Sequence, residues 1–214
     1  SQGFYRAVKE ALGMTDKDFT RKVSTGNEQV SREIPPAISA DALNALTDIV
    51  GKDNIATDTY SRLRFSSGKA MEDILKLREQ VIEDLADVVV HPRDKEDVKK
   101  IVALCHERKI PVNIYGGGSS VTLGLSCRRG GITLAMGTHM NRILDFNETR
   151  QTITVEPGIM GPHYEKALNN APEQFGAAYR YTGGHFPQSF EYSSVGGWVV
   201  TLGAGQNSTY YGDA

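Results

Sequence analysis

The chain has 214 residues and a formal net charge of −2, and it is 39% hydrophobic and 23% charged. That balance supports a buried core and excludes a wholly disordered tail. It also excludes a general nucleic-acid binder, whose affinity rests on surplus Lys and Arg set against phosphates. No apolar run approaches the roughly 20 residues of a membrane span, and the N-terminus lacks the apolar centre of a cleavable leader, so a cytoplasmic location is expected. Two gradients divide the chain. Only 5 of the 22 glycines lie in residues 1–115, whereas 37 of the 50 charged residues lie in residues 1–110.

Residues 4–12 and 41–50 predict short amphipathic helices, separated by a polar stretch ending in Ile34-Pro35-Pro36. Residues 53–68 are mixed and glycine-punctuated, and they predict an irregular segment. Asp87 to His91 is a short apolar run that suits a buried strand, ended by Pro92. Asp94 then caps a helix with Asp97 in the capping-box position, and Val98, Ile101, Val102 and Cys105 recur at helical spacing. The charges from Arg93 to Lys100 read as a solvated face of that helix. Ile110 to Tyr115 is the next strand, completing a β-α-β unit.

Gly131 to Met136 predicts a further strand, and Asn141 to Phe146 with Gln151 to Val155 predicts a hairpin about Asn147-Glu148-Thr149-Arg150. A short helix over Pro162 to Asn169 follows, then a loop rich in Gly, Tyr and Ser up to Val195. One crossover unit followed by a hairpin predicts an α+β fold. Cys105 and Cys127 match no zinc or redox spacing, so reduced thiols and no metal are expected, with Cys105 packed in the core and His106 on a solvated face. His139, His163 and His185 read as packing or surface residues. Tyr179, Tyr181, Tyr210 and Tyr211 read as packing residues with bonded hydroxyls.

The chemistry concentrates in two small-residue loops. Tyr115-Gly116-Gly117-Gly118-Ser119-Ser120 directly follows a predicted strand, and side chains without Cβ atoms let successive backbone N–H groups form a concave donor array for phosphate oxygens. No Lys closes it as in a Walker A loop, and the third glycine of a Rossmann fingerprint is missing here and again at Gly203, Gly205 and Ser208. By itself such a run is more often a flexible turn. Pro187 to Trp198 again places hydroxyls and paired glycines beside apolar residues, and Gly203-Ala204-Gly205 follows. Two separated loops of this kind can hold an extended dinucleotide from both sides.

Read in order, these segments resemble the FAD-binding domain of the vanillyl-alcohol-oxidase type of flavoprotein, the PCMH-type FAD domain. The resemblance runs from about Arg62 to the C-terminus. Arg62 to Gly68 and Ile74 to Arg78 resemble its opening segment, and Val88 to Pro92 with Asp97-Val98 its strand-Pro-helix. Tyr115 to Ser120 resembles its Gly-Gly-Gly-Thr-Ser loop, with Ser119 in place of Thr. Met140 to Leu144 and Val155 to Ile159 resemble its middle strands, Ser193 to Trp198 its Ser-Thr-Val-Gly-Gly-Trp segment, and Tyr211-Gly212 its Tyr-Gly. Within the family, Met140 to Leu144, Glu191 and Trp198 are most similar to the alkyldihydroxyacetonephosphate synthases and bacterial FAD-linked oxidases.

The resemblance implies a PCMH-type FAD domain, incomplete at its C-terminus, over residues 61–214, with a β-α-β subdomain and a mixed or antiparallel subdomain. Residues 1–60 then form an N-terminal helical extension, and the substrate domain lies beyond Ala214. It implies that Ile114, Tyr115, Gly116, Gly117, Gly118, Ser119 and Ser120 hold the pyrophosphate. Gln188, Ser189, Ser193, Ser194, Gly197, Thr201, Ala204, Gly205 and Tyr211 line the rest of FAD. Gln188 stands where Asp is common, and Leu202 stands where synthase-like members often carry Arg. No His lies in or beside Gly116 to Ser120, where covalent members attach the flavin, so non-covalent FAD is implied. The leading function is the FAD-binding portion of an oxidoreductase acting on a hydroxy acid or small alcohol, by hydride transfer to the flavin. A redox-neutral synthase that exchanges a fatty acyl group for an alcohol is the alternative, and a non-catalytic nucleotide-binding module the second. Catalytic residues are expected beyond Ala214, so this portion alone is expected to be inactive. The expected partners are a small-molecule substrate and, in a homodimer, a second copy of the chain.

Overall fold

A computed structural model of the chain describes residues 2–20 and 30–214. The first expected helix is α1 (Gln2–Leu12), none of whose residues is buried. The polar stretch leading to Ile34-Pro35-Pro36 lies in part, at 21–29, outside the described residues. The second is α2 (Ala40–Val50). The Ser39 hydroxyl oxygen accepts from the Ala42 amide at 3.2 Å to start it, and Ala42, Leu46 and Val50 form its buried stripe at i, i+4 and i+8.

The irregular segment expected over 53–68 is corrected by the structure. Here β1 (Ile55–Ala56) pairs antiparallel with β2 (Val88–Val90), and α3 (Thr59–Arg64) follows, capped by the Asp58 carboxylate, which accepts from the Ser61 amide at 2.8 Å. A six-residue helix is too short to print a periodicity, although its cap was in plain view. Arg62 on α3 is 2% exposed. Its guanidinium donates to the carbonyls of Ala86, at 2.7 Å, and Ile34. Burial pushes its pKa down, and the carboxylates of Asp87 and Asp58 oppose that shift. Arg62 thereby ties the segment before α2 to the start of β2. Then α4 (Met71–Arg78), also unexpected, lies on the surface with no buried residue.

The main sheet is completed after α5 (Lys95–Arg108) by β3 (Val112–Tyr115) and β4 (Ile132–Ala135), in the order β1-β2-β4-β3. Strand β4 is parallel to both β2 and β3, so the β2-α5-β3 crossover leaves a gap that β4 fills. Val88, Val90, Ile132 and Leu134 pack with Leu46 and Val50 of α2 and Ile101 and Cys105 of α5 into one core. Val89 and Thr133 are buried as well, so both faces of the central strands are covered, as parallel strands require. Each fully buried Leu or Ile contributes about 1.5–3 kcal/mol relative to exposure. The N-terminal elements α2 and β1 share this core with β2 and β4.

The start of α5 differs from a capping box. The Asp94 carboxylate accepts from the amides of both Glu96 and Asp97 at 2.9 Å. The Asp97 carboxylate reaches past it to the Arg93 amide at 3.0 Å and to the Arg93 guanidinium at 2.7 and 3.0 Å. Asp97 is 3% exposed, so the charges from Arg93 to Lys100 are not all solvated. The Arg93 hydrogen bonds hold its pKa below the ordinary carboxylate value against the opposing effect of burial.

The second half begins with the expected hairpin, β5 (Ile143–Asn147) and β6 (Thr152–Val155), paired antiparallel with Gln151 at φ 52° in the turn. Phe146 stacks on Phe175 at 4.8 Å and meets Tyr181 edge-on at 5.5 Å. The Tyr181 hydroxyl donates to Glu148 at 3.0 Å. Tyr179 and Tyr210 are 72% and 86% exposed, which corrects their reading as packing residues. The expected α6 (Gly161–Asn169) is followed by α7 (Ala171–Phe175), α8 (Val195–Thr201) and α9 (Ser208–Tyr211), none of them expected. The α+β reading holds: a mixed sheet built on a crossover unit, with a separate antiparallel hairpin.

Candidate functional site

Gly116 to Gly118 leave the C-terminal end of β3, the edge where open α/β sheets place ligands. Among the described residues, none of the amides of residues 116–120 donates to a protein acceptor, which leaves a continuous run of backbone donors. The loop is seated on the segment before α8. A Cβ on Gly116 would overlap the Ser194 hydroxyl, and one on Gly117 would overlap the Tyr192 carbonyl and come within 2.9 Å of the Ser193 Cα. Gly118 has φ 71° and lies against the Tyr115 ring. Only glycine permits these approaches. The loop is also gripped from its far end, where the Lys69 amide donates to the Ser120 carbonyl at 2.7 Å. The Ser120 hydroxyl oxygen accepts from the Gly124 amide at 3.2 Å.

The second expected loop is in part the start of a helix. Ser194 caps α8, its hydroxyl oxygen accepting from the Gly197 amide at 3.3 Å, and the Ser193 hydroxyl oxygen accepts from the Trp198 indole at 2.6 Å. Ser193 and Ser194 are buried, and because both oxygens accept here, each hydroxyl hydrogen stays available to donate. Their backbone is laid on the start of α6. The Gly161 amide donates to the Ser193 carbonyl at 3.1 Å, and the Val195 and Gly196 amides donate to the carbonyls of Ile159 and Pro157 at 2.9 Å.

The structure thus brings together Tyr115 to Ser120 with Ser193, Ser194 and Gly197. A second group forms around residues 184–186. The Tyr211 ring packs on Gly184, and Gly205 lies so near the Phe186 backbone that a Cβ on it would come within 2.9 Å, while its amide donates to the Ser208 hydroxyl at 2.6 Å. Ala204 lies beside it, between Gly203 and Gly205. The Thr201 hydroxyl donates to the Gly197 carbonyl at 2.8 Å. Ile114 points away from the core, 58% exposed on the edge strand. Gln188 is exposed, and Ser189 contributes its carbonyl to the Tyr192 amide at 2.8 Å. Leu202 ends α8 at φ 48° and is exposed.

Contacts at the site that the residue types alone do not single out are Tyr192, Gly68 and Lys69, which touch the loop through backbone atoms. Beside them Phe65 packs edge-on against Tyr115 at 4.9 Å and His91 at 5.4 Å. The His91 Nδ1 lies 2.7 Å from the Thr138 hydroxyl. Burial lowers the His91 pKa, helped by the nearby His139 and Arg64, which favours its neutral form. His185 packs on Trp198 at 4.9 Å, and burial pushes its pKa down, with Asp213 opposing.

A strand-terminal glycine loop with free amides, clamped against a serine-bearing helix start, is a cradle suited to the phosphates of a nucleotide cofactor. Residues 86–214 match the FAD-binding domain family, and the chain belongs to it. The alkyldihydroxyacetonephosphate synthase of Trypanosoma brucei brucei is 31% identical over 194 residues, covering 88% of this chain and 30% of the relative. Glycolate oxidase subunit GlcD of Bacillus subtilis (strain 168) is 26% identical over 175 residues, covering 82% of this chain and 33% of the relative. A solved alkyldihydroxyacetonephosphate synthase structure superposes with a TM-score of 0.76 at 28% identity, over 87% of this chain and 34% of that one. The chain therefore spans about a third of the length of these relatives. FAD is the family's cofactor, and the free amides of residues 116–120 fit its pyrophosphate. Among the described residues, no helix is long and apolar enough to cross a membrane.

Proposed function

We propose that this chain is the FAD-binding portion of a flavoenzyme, holding the cofactor without a covalent bond. The observation that carries the reading is the run of unpartnered amides at 116–120, closed by Tyr192 to Ser194. In this reading the loop amides donate to the pyrophosphate oxygens, and the Ser193 and Ser194 hydroxyls donate from the opposite side. Gln188, Ser189, Gly197, Thr201, Ala204, Gly205 and Tyr211 line the remainder, and Ile114 supports the strand end through its backbone. The cofactor, when bound, supplies an isoalloxazine ring able to take up electrons from a substrate carbon. Residues 61–214 form the flavin portion in this proposal, and residues 1–60 brace it through α2 and β1.

For the whole protein we propose the synthase-type reaction, in which a fatty acyl group is exchanged for an alcohol without net redox change. Support comes from the synthase relatives in both sequence and structure. The oxidation of a hydroxy acid, placed first by the sequence, is the second reading, supported by the likeness to glycolate oxidase subunit GlcD. Anaerobic mixing of the flavin-loaded whole protein tests both. Bleaching of the flavin by an acyl dihydroxyacetone phosphate alone is expected, and bleaching by glycolate or D-lactate would reverse the order. A whole protein purified without visible flavin absorbance, and unable to take up added FAD, would overturn the flavoenzyme reading itself.

A further inference from the structure

A second site lies at the opposite end of the parallel strands from the glycine loop. There the first turn of α2, the end of α5 and the turns entering β3 and β4 line an open cavity of about 500 Å³, within the size range of small-molecule sites. Its wall combines Ile110 and Pro111 with the cations Arg108, Lys109 and Arg129. The two carboxylates in the lining are already engaged. Asp41 pairs with the Arg108 Nη1 at 2.5 Å, and Asp87 accepts from the Ala37 and Gly131 amides at 2.8 Å each. The side chains of Lys109 and Arg129 have no ion-pair or hydrogen-bond partner among the described residues, and the amides of Ala40 and Asp41 have no protein acceptor there. The lining therefore carries three cations against two carboxylates, an excess of positive charge beside free amides that suits an anion.

Lys109 carries a second signal. It ends α5 at φ 57°, ψ 35°, the left-handed conformation for which glycine is favoured at a helix terminus. Stopping the helix explains the conformation, and Lys109 is itself among the residues that line the cavity. We propose that this cavity binds a small phosphate monoester, with Lys109 and Arg129 donating to the phosphate and Ile110 and Pro111 contacting the apolar part. The proposal is independent of the FAD assignment.

Calorimetric titration of the full chain with inorganic phosphate and with phenyl phosphate, in chloride buffer at matched ionic strength, tests it. Saturable binding is expected, tighter for phenyl phosphate. Lys109→Gly and Arg129→Ala should each weaken it about tenfold, the loss of one charge-assisted hydrogen bond. Lys109→Gly should at the same time raise the melting temperature in the absence of phosphate, because glycine suits the left-handed cap, so weakened binding in that variant cannot be ascribed to unfolding. FAD uptake by both variants should be unchanged. Absence of phosphate binding, binding that both variants retain at full strength, or phosphate displaced by FAD would each overturn the proposal.

Discussion

The core beneath the main sheet and the seat beneath the glycine loop are built on opposite principles. In the core, contact is made by side chains: Leu46, Val50, Ile101 and Ile132 are fully buried, and their volumes fill the space between α2, α5 and the sheet. At the loop, contact is made by backbone against backbone, and Gly117 meets the Tyr192 carbonyl because it has no side chain. A side-chain core tolerates exchanges that preserve volume. A backbone seat tolerates none, because no rotamer can withdraw a Cβ. The two regions should therefore respond to different kinds of substitution.

The largest effect is expected from Gly117→Ala, which sets a Cβ against two backbone groups of the Tyr192–Ser193 segment. A loss of about 4 kcal/mol in stability, accompanied by loss of FAD uptake, is expected, measured by urea unfolding and flavin titration. Unchanged FAD uptake would sink the description of the loop as seated. Leu46→Ala should cost about 3 kcal/mol by leaving a cavity, with the flavin affinity of the surviving folded fraction unaltered. Ser194→Ala removes the cap of α8 and should cost about 1 kcal/mol, and here the flavin affinity should fall as well. If it does not, Ser194 serves the helix only.

The smallest effect at neutral pH concerns Asp97 and Glu156. Hydrogen bonds from Arg93 and Arg142 hold both carboxyls below their ordinary values. Since their folded pKa values lie below the unfolded ones, near about 3.9 and 4.3, their contribution is present above those values and is lost as the pH falls through the folded ones. Urea midpoints should stay level from pH 7 to pH 5 and drop toward pH 3. Asp97→Asn combined with Glu156→Gln should lower the neutral midpoint and flatten the acid limb. An acid limb of unchanged steepness would remove both pairs from the account.

The same contrast explains how much was legible in the sequence. Strands β2, β3 and β4, helix α2, the Asp94 cap of α5 and the β5–β6 hairpin follow from apolar periodicity and turn chemistry, because side-chain burial leaves a pattern. Helix α8 leaves none. Val195, Val199, Val200 and Thr201 are β-branched, and Gly196 and Gly197 are poor helix formers. The helix exists through the Ser194 cap and the packing of Gly196 on Pro157. Helix α7 carried readable punctuation, Pro172 near its start and Gly176 at φ 68° just past its end, inside a stretch whose composition suggested only loop. Gly116 to Ser120 could be picked out as a phosphate cradle. The part of Tyr192 and Lys69 in holding that cradle could not, since both act through backbone atoms that any residue type supplies.

The hydrogen bond from the Lys69 amide to the Ser120 carbonyl at 2.7 Å has a consequence for binding. With Tyr192 to Ser194 beneath the loop and Lys69 at its far end, the glycines most able to wander are held at both margins before any ligand arrives. The conformational freedom of the loop is lost when the chain folds rather than when the cofactor docks. Cutting that tether should slow no chemistry, but it should convert a rigid receptor into one that must assemble around its ligand, seen as a slower approach to equilibrium and a larger entropic opposition to binding.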